Sequence, residues 1–104
     1  MVVAKYNRRE CTLEIKGHAQ TGERGTDLVC ASSSILGFTA VACAEDNREK
    51  FMPSIAQVDD TLRIACNPGR SYVTPCRRML DTIFTGYEVL ASAYPNNVRT
   101  EKED

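Results

Sequence analysis

The sequence predicts a single α+β domain of two layers, in which a mainly antiparallel sheet carries two helices on one face. Two pairs of short runs are predicted as strands, and each pair is joined by turn-forming residues. Two longer segments place apolar residues at helical spacing. The resulting order is ββαββα with a possible short C-terminal strand, and 104 residues suit one domain, residues 1–104.

The first predicted hairpin pairs residues 2–6 with residues 11–16. The second of these runs alternates cleanly between apolar and polar side chains, which is typical of a half-buried antiparallel strand. Gly17 ends it. Residues 19–26 then contain two glycines and no large apolar side chain, so we expect a loop there.

A second hairpin is predicted from residues 55–58 and 62–66, which flank the turn-forming cluster at 59–61. Near the C-terminus, residues 98–100 could add one short strand. The charged residues 101–104 are expected to fray. One sheet face would then lie open to solvent or to another subunit.

Both helices have predicted start signals. Asp27 is expected to cap the first helix, which runs to about Cys43 or to the start of the segment 44–47, where charged residues take over. Thr74 is expected to cap the second, with Pro75 at its first helical position, and Tyr94 lies where it stops.

Charge and hydropathy exclude several classes of function. The formal net charge of −1 gives no electrostatic basis for binding nucleic acid or a membrane surface. Arg77-Arg78 is the best candidate for a local basic patch, and we expect it to be solvated. The first residues do not form a signal peptide, and no apolar run approaches the roughly 20 residues that span a bilayer. These observations predict a cytoplasmic protein with no membrane contact.

Five cysteines are many for this length, but their number is odd and no CxxC pair occurs. A single histidine does not complete the usual Cys/His zinc spacing, so neither a metal nor a cofactor is predicted. In a reducing compartment the cysteines are expected to remain thiols. Cys11, Cys43 and Cys66 fall within apolar patterns and are predicted core residues.

The segment from His18 to Cys30 carries the candidate chemistry. His18, the only histidine, stands at the end of a strand, and Cys30 is expected at the third helical position after the Asp27 cap. Free N–H groups and the helix dipole favour negative charge there, so a thiolate nucleophile is favoured. His18 is then the only imidazole available to accept its proton. Free N–H groups near Cys30 and Ala31 would stabilise an oxyanion on the attacked carbonyl.

Two neighbouring positions have alternative interpretations. The charge of the Asp27 carboxylate opposes a thiolate at Cys30 unless the carboxylate caps the helix by accepting from backbone N–H groups or orients His18. Ser34 lies one turn beyond Cys30 on the same helix face. Its hydroxyl either contacts the nucleophile or substrate, or bonds back to the carbonyl four residues earlier.

A family motif matches three segments of the chain in order and spacing: Gly17-His18-Ala19, the run GTDLVCA at residues 25–31, and Ser34. By these segments the chain resembles the ribosomal-processing cysteine protease family, Prp, also called YsxB-like. The order hairpin, helix, hairpin, helix and the Tyr94-Pro95 ending are similar to that family as well.

The resemblance implies a cytoplasmic cysteine endopeptidase whose catalytic dyad is His18 and Cys30. Its implied substrate is the precursor of ribosomal protein L-twenty-seven, from which it removes an N-terminal extension after an aromatic residue, during ribosome assembly. The resemblance also implies a homodimer. The loop with Gly22 and Gly25 is implied to gate access to the site.

Two rival hypotheses belong to other classes. A non-catalytic ribosome-associated domain would bind the same segment without cutting it, so that Cys30 would be dispensable. A thiol redox sensor would oxidise at Cys30, although the sequence places no resolving cysteine nearby.

Overall fold

The apolar runs form one five-stranded sheet in a computed structural model that describes residues 1–17 and 26–104, with only the backbone described for Thr26 and Asp27. In chain order the elements are β1 (Val2–Asn7), β2 (Thr12–Lys16), α1 (Thr26–Asp46), α2 (Arg48–Phe51), β3 (Pro53–Val58), β4 (Thr61–Cys66), a 3-10 turn (Arg70–Tyr72), α3 (Val73–Ala93) and β5 (Val98–Glu103). This arrangement confirms the predicted α+β class.

The strand order across the sheet is β3-β4-β2-β1-β5. All neighbours are antiparallel except β1 and β5, which are parallel. The last strand is twice as long as predicted, because residues 101–103 pair with residues 5–7 of β1 instead of fraying. Backbone pairing with an edge strand therefore outweighs the polar character of this segment.

The two faces of the sheet differ sharply. Alternate residues of β1 and β2 are buried beneath the helices, namely Val2, Ala4, Tyr6, Leu13 and Ile15. On the opposite face, one row across neighbouring strands alternates in charge: Arg63, Glu14, Lys5 and Glu101. Opposite charges directly across strands stabilise one another, and a row of charged side chains is typical of a sheet face that contacts solvent.

Helices α1 and α3 form the second layer and pack on each other and on the sheet. Both start earlier than predicted. Because α1 begins at Thr26, Asp27 is its second residue and not its N-cap. In α3, the N-cap is Tyr72, which makes no side-chain capping bond, so Thr74 and Pro75 occupy the second and third positions. The preceding 3-10 turn runs directly into the helix and leaves no place for a separate cap.

The end of α1 also lies beyond the predicted Cys43, at Asp46. There the Asn47 side chain donates a hydrogen bond to the Cys43 carbonyl, at 2.8 Å, and the chain turns into the short helix α2. By length and composition alone, Leu28–Asp46 would be apolar enough to span a membrane. In this fold the segment packs against α3 and the sheet through Val29, Ala40 and Ala44, which are fully buried.

Arg77 and Arg78, the candidate basic patch, lie in different surroundings. Arg77 donates hydrogen bonds to the backbone carbonyls of Arg8 and Arg9, at 3.0 and 3.1 Å, so it fastens the β1–β2 turn to α3. Asp81 adds to this junction by accepting bonds from the Tyr6 hydroxyl, at 2.7 Å, and from Arg8, at 3.1 Å. Arg78 is exposed.

The sheet has two functionally distinct ends. At one end β2 closes at Gly17, beside the turn that joins β3 and β4; we call this the Gly17 end. At the other, Cys11 precedes β2 and Cys66 closes β4, with Cys76 of α3 above them; we call this the thiol end. All three thiols there are buried. The predicted core placement of Cys11 and Cys66 is confirmed.

Candidate active site

Gly17, the residue before His18, occupies a position that only glycine tolerates. Its φ is +88°, in the left-handed region, and a Cβ built on it would lie 2.3 Å from the Met1 carbonyl oxygen. Its N–H donates to the Asp60 carbonyl at 3.0 Å. The strand end that leads to His18 is therefore fixed between the first residue of the chain and the β3–β4 turn.

A cleft of about 260 Å³ lies between α1 and the β3–β4 hairpin, at the Gly17 end. Gly17 and Asp60 form part of its wall on the sheet side. Ser34 and Phe38 line it from α1, and Leu62 lines it from β4. The structure therefore brings two predicted site positions, Gly17 of the GHA motif and Ser34, to one cavity that mixes apolar and polar groups.

A buried tyrosine stabilises the helix side of this cleft. The Tyr87 hydroxyl donates to the Ser33 carbonyl at 2.7 Å and accepts from the Ser33 hydroxyl at 3.4 Å. Burial raises the pKa of Tyr87 to about 12, although the bonds with Ser33 and Gly37 act against the rise. Since Tyr87 belongs to α3, it holds the cleft-lining turn of α1 at a fixed height above the sheet.

Cys30 lies on α1 one turn before Ser34. Its side chain is half-buried and packs against the core, next to the fully buried Val29, while Leu28 remains exposed. This half-exposure distinguishes Cys30 from the three thiols of the thiol end. A nucleophile needs such a position, anchored by packing and still reachable from solvent.

The start of α1 changes the expected electrostatics of Cys30. Counted from Thr26, Cys30 is the fifth helical residue and not the third. The N–H groups without an intrahelical acceptor lie in the first turn of a helix, and Cys30 and Ala31 lie beyond the first turn counted from Thr26, so the predicted free donors at these two residues are wrong. The candidate oxyanion donors therefore move one turn towards the N-terminus, although they stay on the same helix as the nucleophile.

The other predicted site positions fall in different places. His18, Gly22 and Gly25 lie outside the described residues, so the dyad and the gating loop stay predictions. Ala31 is exposed but faces a second groove, between α1 and α3, and not the cleft. Within residues 1–17 and 26–104, no group of three or more His, Cys, Asp or Glu side chains is arranged to hold a metal ion.

Two features of the cleft escaped the sequence analysis. Asp60 was interpreted only as a turn residue, and Tyr87 only as part of the apolar stripe of α3. A signal existed for Tyr87, because a buried phenol needs a hydrogen-bond partner and small residues such as Ser33 and Gly37 admit one. Asp60 acts through its backbone carbonyl, which no side-chain pattern reveals.

Comparison with known sequences gives two matches that cover nearly the whole chain. The model of the family described as cysteine protease Prp matches residues 1–99. The ribosomal processing cysteine protease Prp of Mycoplasma genitalium is 30% identical over 95% of this chain and 95% of its own length.

Solved structures share the fold over their full length. Prp from S. aureus, described as an essential ribosomal processing protease, superimposes with a TM-score of 0.79 and covers 99% of this chain and 100% of its own. Two such structures hold a covalently linked product peptide and a substrate peptide, at 22% and 21% identity. SMU.848 from Streptococcus mutans has a TM-score of 0.70 at 20% identity, covering 98% of this chain and 91% of its own.

Proposed function

Because this chain belongs to the cysteine protease Prp family, we propose that it removes the N-terminal extension from the precursor of ribosomal protein L-twenty-seven in the cytoplasm. The observation that carries the proposal is the cleft shared by Gly17 and Ser34, one turn from the half-buried Cys30. The names of the relatives support a ribosomal precursor as the substrate class.

In the proposed reaction the Cys30 thiolate attacks the carbonyl carbon of the scissile peptide bond. His18 first accepts the thiol proton and then donates it to the departing amine. His18 is the only histidine and follows Gly17 directly in the chain, and Gly17 lines the cleft. Water hydrolyses the resulting thioester by the reverse sequence of proton transfers.

The first turn of α1 supplies the proposed oxyanion donors. The first N–H groups of a helix have no acceptor inside it, and the positive end of the helix dipole lies there. The apolar side chains of Phe38 and Leu62 in the cleft suit a hydrophobic segment before the cut. Asp27 and Ser34 are proposed to support the site, Ser34 by contacting the substrate from the cleft wall.

Cleavage of a peptide that spans the junction of such an extension tests the proposal. Mass spectrometry should find two fragments with the wild-type chain and none with Cys30→Ala or His18→Ala. Cys43→Ala is the matched control, since Cys43 is also half-buried on α1 but lies more than three turns further along the helix. It should cleave at the wild-type rate.

The alternative functions predict different outcomes in the same assay. Binding without fragments, unchanged in Cys30→Ala, would assign a non-catalytic ribosome-associated domain. Equal cleavage by Cys30→Ala would overturn the cysteine mechanism. Cleavage of unrelated apolar peptides at the same rate would remove the ribosomal precursor as the preferred substrate.

We also propose that the chain acts as a homodimer through the groove between α1 and α3. Ile35 and Val89 border this groove and are 68% and 65% exposed, although both are large and apolar. Ala31, Gly86 and Leu90 also line this groove, which has a volume of about 590 Å³. Contiguous apolar surface of this kind marks protein interfaces, and it explains why α1 is apolar on the side away from the sheet.

Val89→Glu and Val58→Glu form a matched pair for the dimer. Both valines are about equally exposed, at 65% and 66%, but Val58 ends β3 away from the groove. Sedimentation should show monomers only for Val89→Glu, because a buried unpaired carboxylate opposes association. If both variants sediment as the wild type does, the groove is not the dimer interface.

A further inference from the structure

The two edge strands of the sheet differ in how they are protected against further pairing. Four of the six residues of β5 are charged, namely Arg99, Glu101, Lys102 and Glu103. Charged side chains on an edge discourage the addition of another strand. β3, at the opposite edge, has the sequence PSIAQV, with no charged side chain and with proline only at its first position. Within residues 1–17 and 26–104, no strand pairs with the outer side of β3, so this edge is open to a further strand.

The hydrogen bonds of β4 show which of its residues bond to which neighbour. The N–H of Cys66 donates to the Cys11 carbonyl, and the Asp60 carbonyl accepts from the N–H of Gly17, both at 3.0 Å. Residues 60 and 66 therefore both bond towards β2. Because the bonding direction alternates along a strand, the even-numbered residues of β4 bond to β2 and the odd-numbered residues bond to β3.

The register of β3 against β4 then determines the groups that face outward. The odd-numbered residues of β4 lie opposite Ser54, Ala56 and Val58, which therefore bond to β4. The N–H and carbonyl groups of Ile55 and Gln57 point the other way, out from the edge of the sheet. Alternating donors and acceptors of this kind are what an added peptide strand pairs with.

We propose that the peptide substrate docks as an added strand on the outer edge of β3 and enters the cleft beside Gln57. This inference rests on the proposed proteolytic function and adds how the substrate is held. Gln57 lines the same cleft as Ser34, which lies one turn beyond Cys30 on α1. Residues directly opposite on paired strands share a sheet face, so the substrate residue across from Gln57 faces the cleft. There it meets Phe38, which is apolar and 51% exposed.

The position and chemistry of this edge favour a substrate over other occupants. Main-chain hydrogen bonds to β3 hold a peptide without reading its sequence, and the cleft then selects the side chain that enters it. An uncharged edge is suited to the apolar segment that the proposed substrate carries before the cut. The α1–α3 groove contains no residue of β3, so the proposed dimer leaves this edge accessible. A second copy paired along β3 would instead block the way into the cleft.

N-methylation of the substrate backbone tests the docking on the wild-type chain. The peptide that spans the extension junction is made in versions with one N-methyl group each, at successive residues other than the two that flank the cut. Only every second N–H of an added strand faces its neighbour. KM should therefore rise about tenfold at alternate positions and by less than about twofold between them, because each lost donor leaves a β3 carbonyl unpaired. An equal rise at all positions, or none at any, would overturn the proposal.

A matched pair of variants tests the same contact from the protein side. Gln57→Pro removes one outward N–H and leaves the β3–β4 hydrogen bonds in place, and an edge strand tolerates proline at such a position. Gln57→Ala removes the same side chain but keeps the N–H. For the unmodified peptide, KM should be about tenfold higher in Gln57→Pro than in Gln57→Ala, with similar kcat. Equal KM values in two variants with wild-type urea midpoints would contradict the docking. Should Gln57→Pro not fold, the peptide series still decides.

Binding to Cys30→Ala separates this proposal from the proposed function, because that variant should bind the peptides without cutting them. Alternating Kd values without cleavage by the wild-type chain would overturn proteolysis and keep β3 as a peptide-binding edge. Cleavage without alternation would overturn the docking alone, and a peptide that is neither bound nor cut would overturn both. If sedimentation shows a dimer for Gln57→Ala and a monomer for Gln57→Pro, the edge pairs with a second copy and the proposal is wrong.

Discussion

The two ends of the sheet use the same side chain in opposite ways. Near the Gly17 end, Cys30 is half-buried on α1 one turn before a cleft that also contains Gly17 and Ser34. At the thiol end, Cys11, Cys66 and Cys76 are buried within the hydrophobic core. Solvent access and the groups around a thiol, and not its residue type, therefore decide whether the thiol attacks a substrate or packs in a core.

The contrast extends to the backbone. The Gly17 end contains a left-handed glycine next to the Met1 carbonyl, where a residue with a Cβ would be strained and would clash. The thiol end is built from the regular end of β4 and the first turns of α3. Substitutions at the two ends should therefore have separable effects on activity and on stability.

Cys30→Ala and Cys76→Ala should have opposite consequences, and this is the largest expected effect. Cys30→Ala should abolish cleavage while leaving the free energy of unfolding nearly unchanged, since Cys30 is half-exposed. Cys76→Ala should keep cleavage and lose about 1–2 kcal/mol of stability, because it removes a fully buried side chain from the core. Peptide cleavage and urea unfolding measure the two. If Cys30→Ala and Cys76→Ala change cleavage and stability in the same way, the two ends do not differ in function.

Gly17→Ala should damage both the site and the fold. A left-handed backbone costs a residue with a Cβ about 1–2 kcal/mol, and the close approach to Met1 adds to that loss. Cleavage should fall at least about tenfold, because a displaced strand end would misplace the proposed base, and a misplaced catalytic group raises the barrier by about 1.4 kcal/mol or more. Gly69→Ala is the control, because φ there is −59° and its Cβ would meet the Tyr72 ring at an ordinary 3.5 Å. Wild-type cleavage by Gly17→Ala would show that the strand end does not position His18.

Tyr87→Phe should weaken the contact between α3 and the cleft wall by about 1 kcal/mol, the usual net contribution of one hydrogen bond. The pH dependence of stability is a sharper test. The pKa of Tyr87 is raised from 10.0 in the unfolded chain to about 12 in the fold. Its stabilisation is therefore complete below pH 10 and is lost as the pH rises towards 12.

Urea midpoints measured across that alkaline range should fall less steeply for Tyr87→Phe than for the wild type. Some alkaline loss should remain in the variant, because burial and the hydrogen bond with Asp81 also raise the pKa of Tyr6. Parallel curves for the two chains would show that Tyr87 does not titrate with unfolding.

Ser34→Ala should have the smallest effect and should act on activity alone. Its exposed side chain lines the cleft, so stability should change by less than about 0.5 kcal/mol. A rise in KM of a few-fold is expected if the hydroxyl contacts substrate. Ser32→Ala, on the same helix but facing the α1–α3 groove, is the control. A loss of stability with unchanged cleavage would assign the Ser34 hydroxyl to the helix.

Periodicity was sufficient to predict the architecture. The alternation of β2 and the apolar stripe of α3 each reflect one buried face, so strand, helix and order followed from local pattern. Helix starts were less predictable: Asp27 and Thr74 have capping side chains, but α1 and α3 begin one residue before each of them. Residues 101–103 look polar and unstructured in sequence, and only the distant partner β1 makes them a strand.

The candidate site was predictable where its chemistry lies in side chains. His18 and Cys30 stand out because the chain has one histidine and a cysteine near a helix start. The wall of the cleft was not predictable, because Gly17 and Asp60 meet through backbone atoms. The Tyr87–Ser33 contact joins residues 54 positions apart, which no local pattern encodes.

The parallel pairing of β1 with β5 bears on the order in which the chain folds. Its partners lie 96 residues apart, so the pairing closes the longest loop in the domain. Contacts of such separation form slowly, whereas the β1–β2 hairpin closes locally. During synthesis the β5-facing edge of β1 therefore remains unpaired and open to other strands until nearly the whole chain has been made.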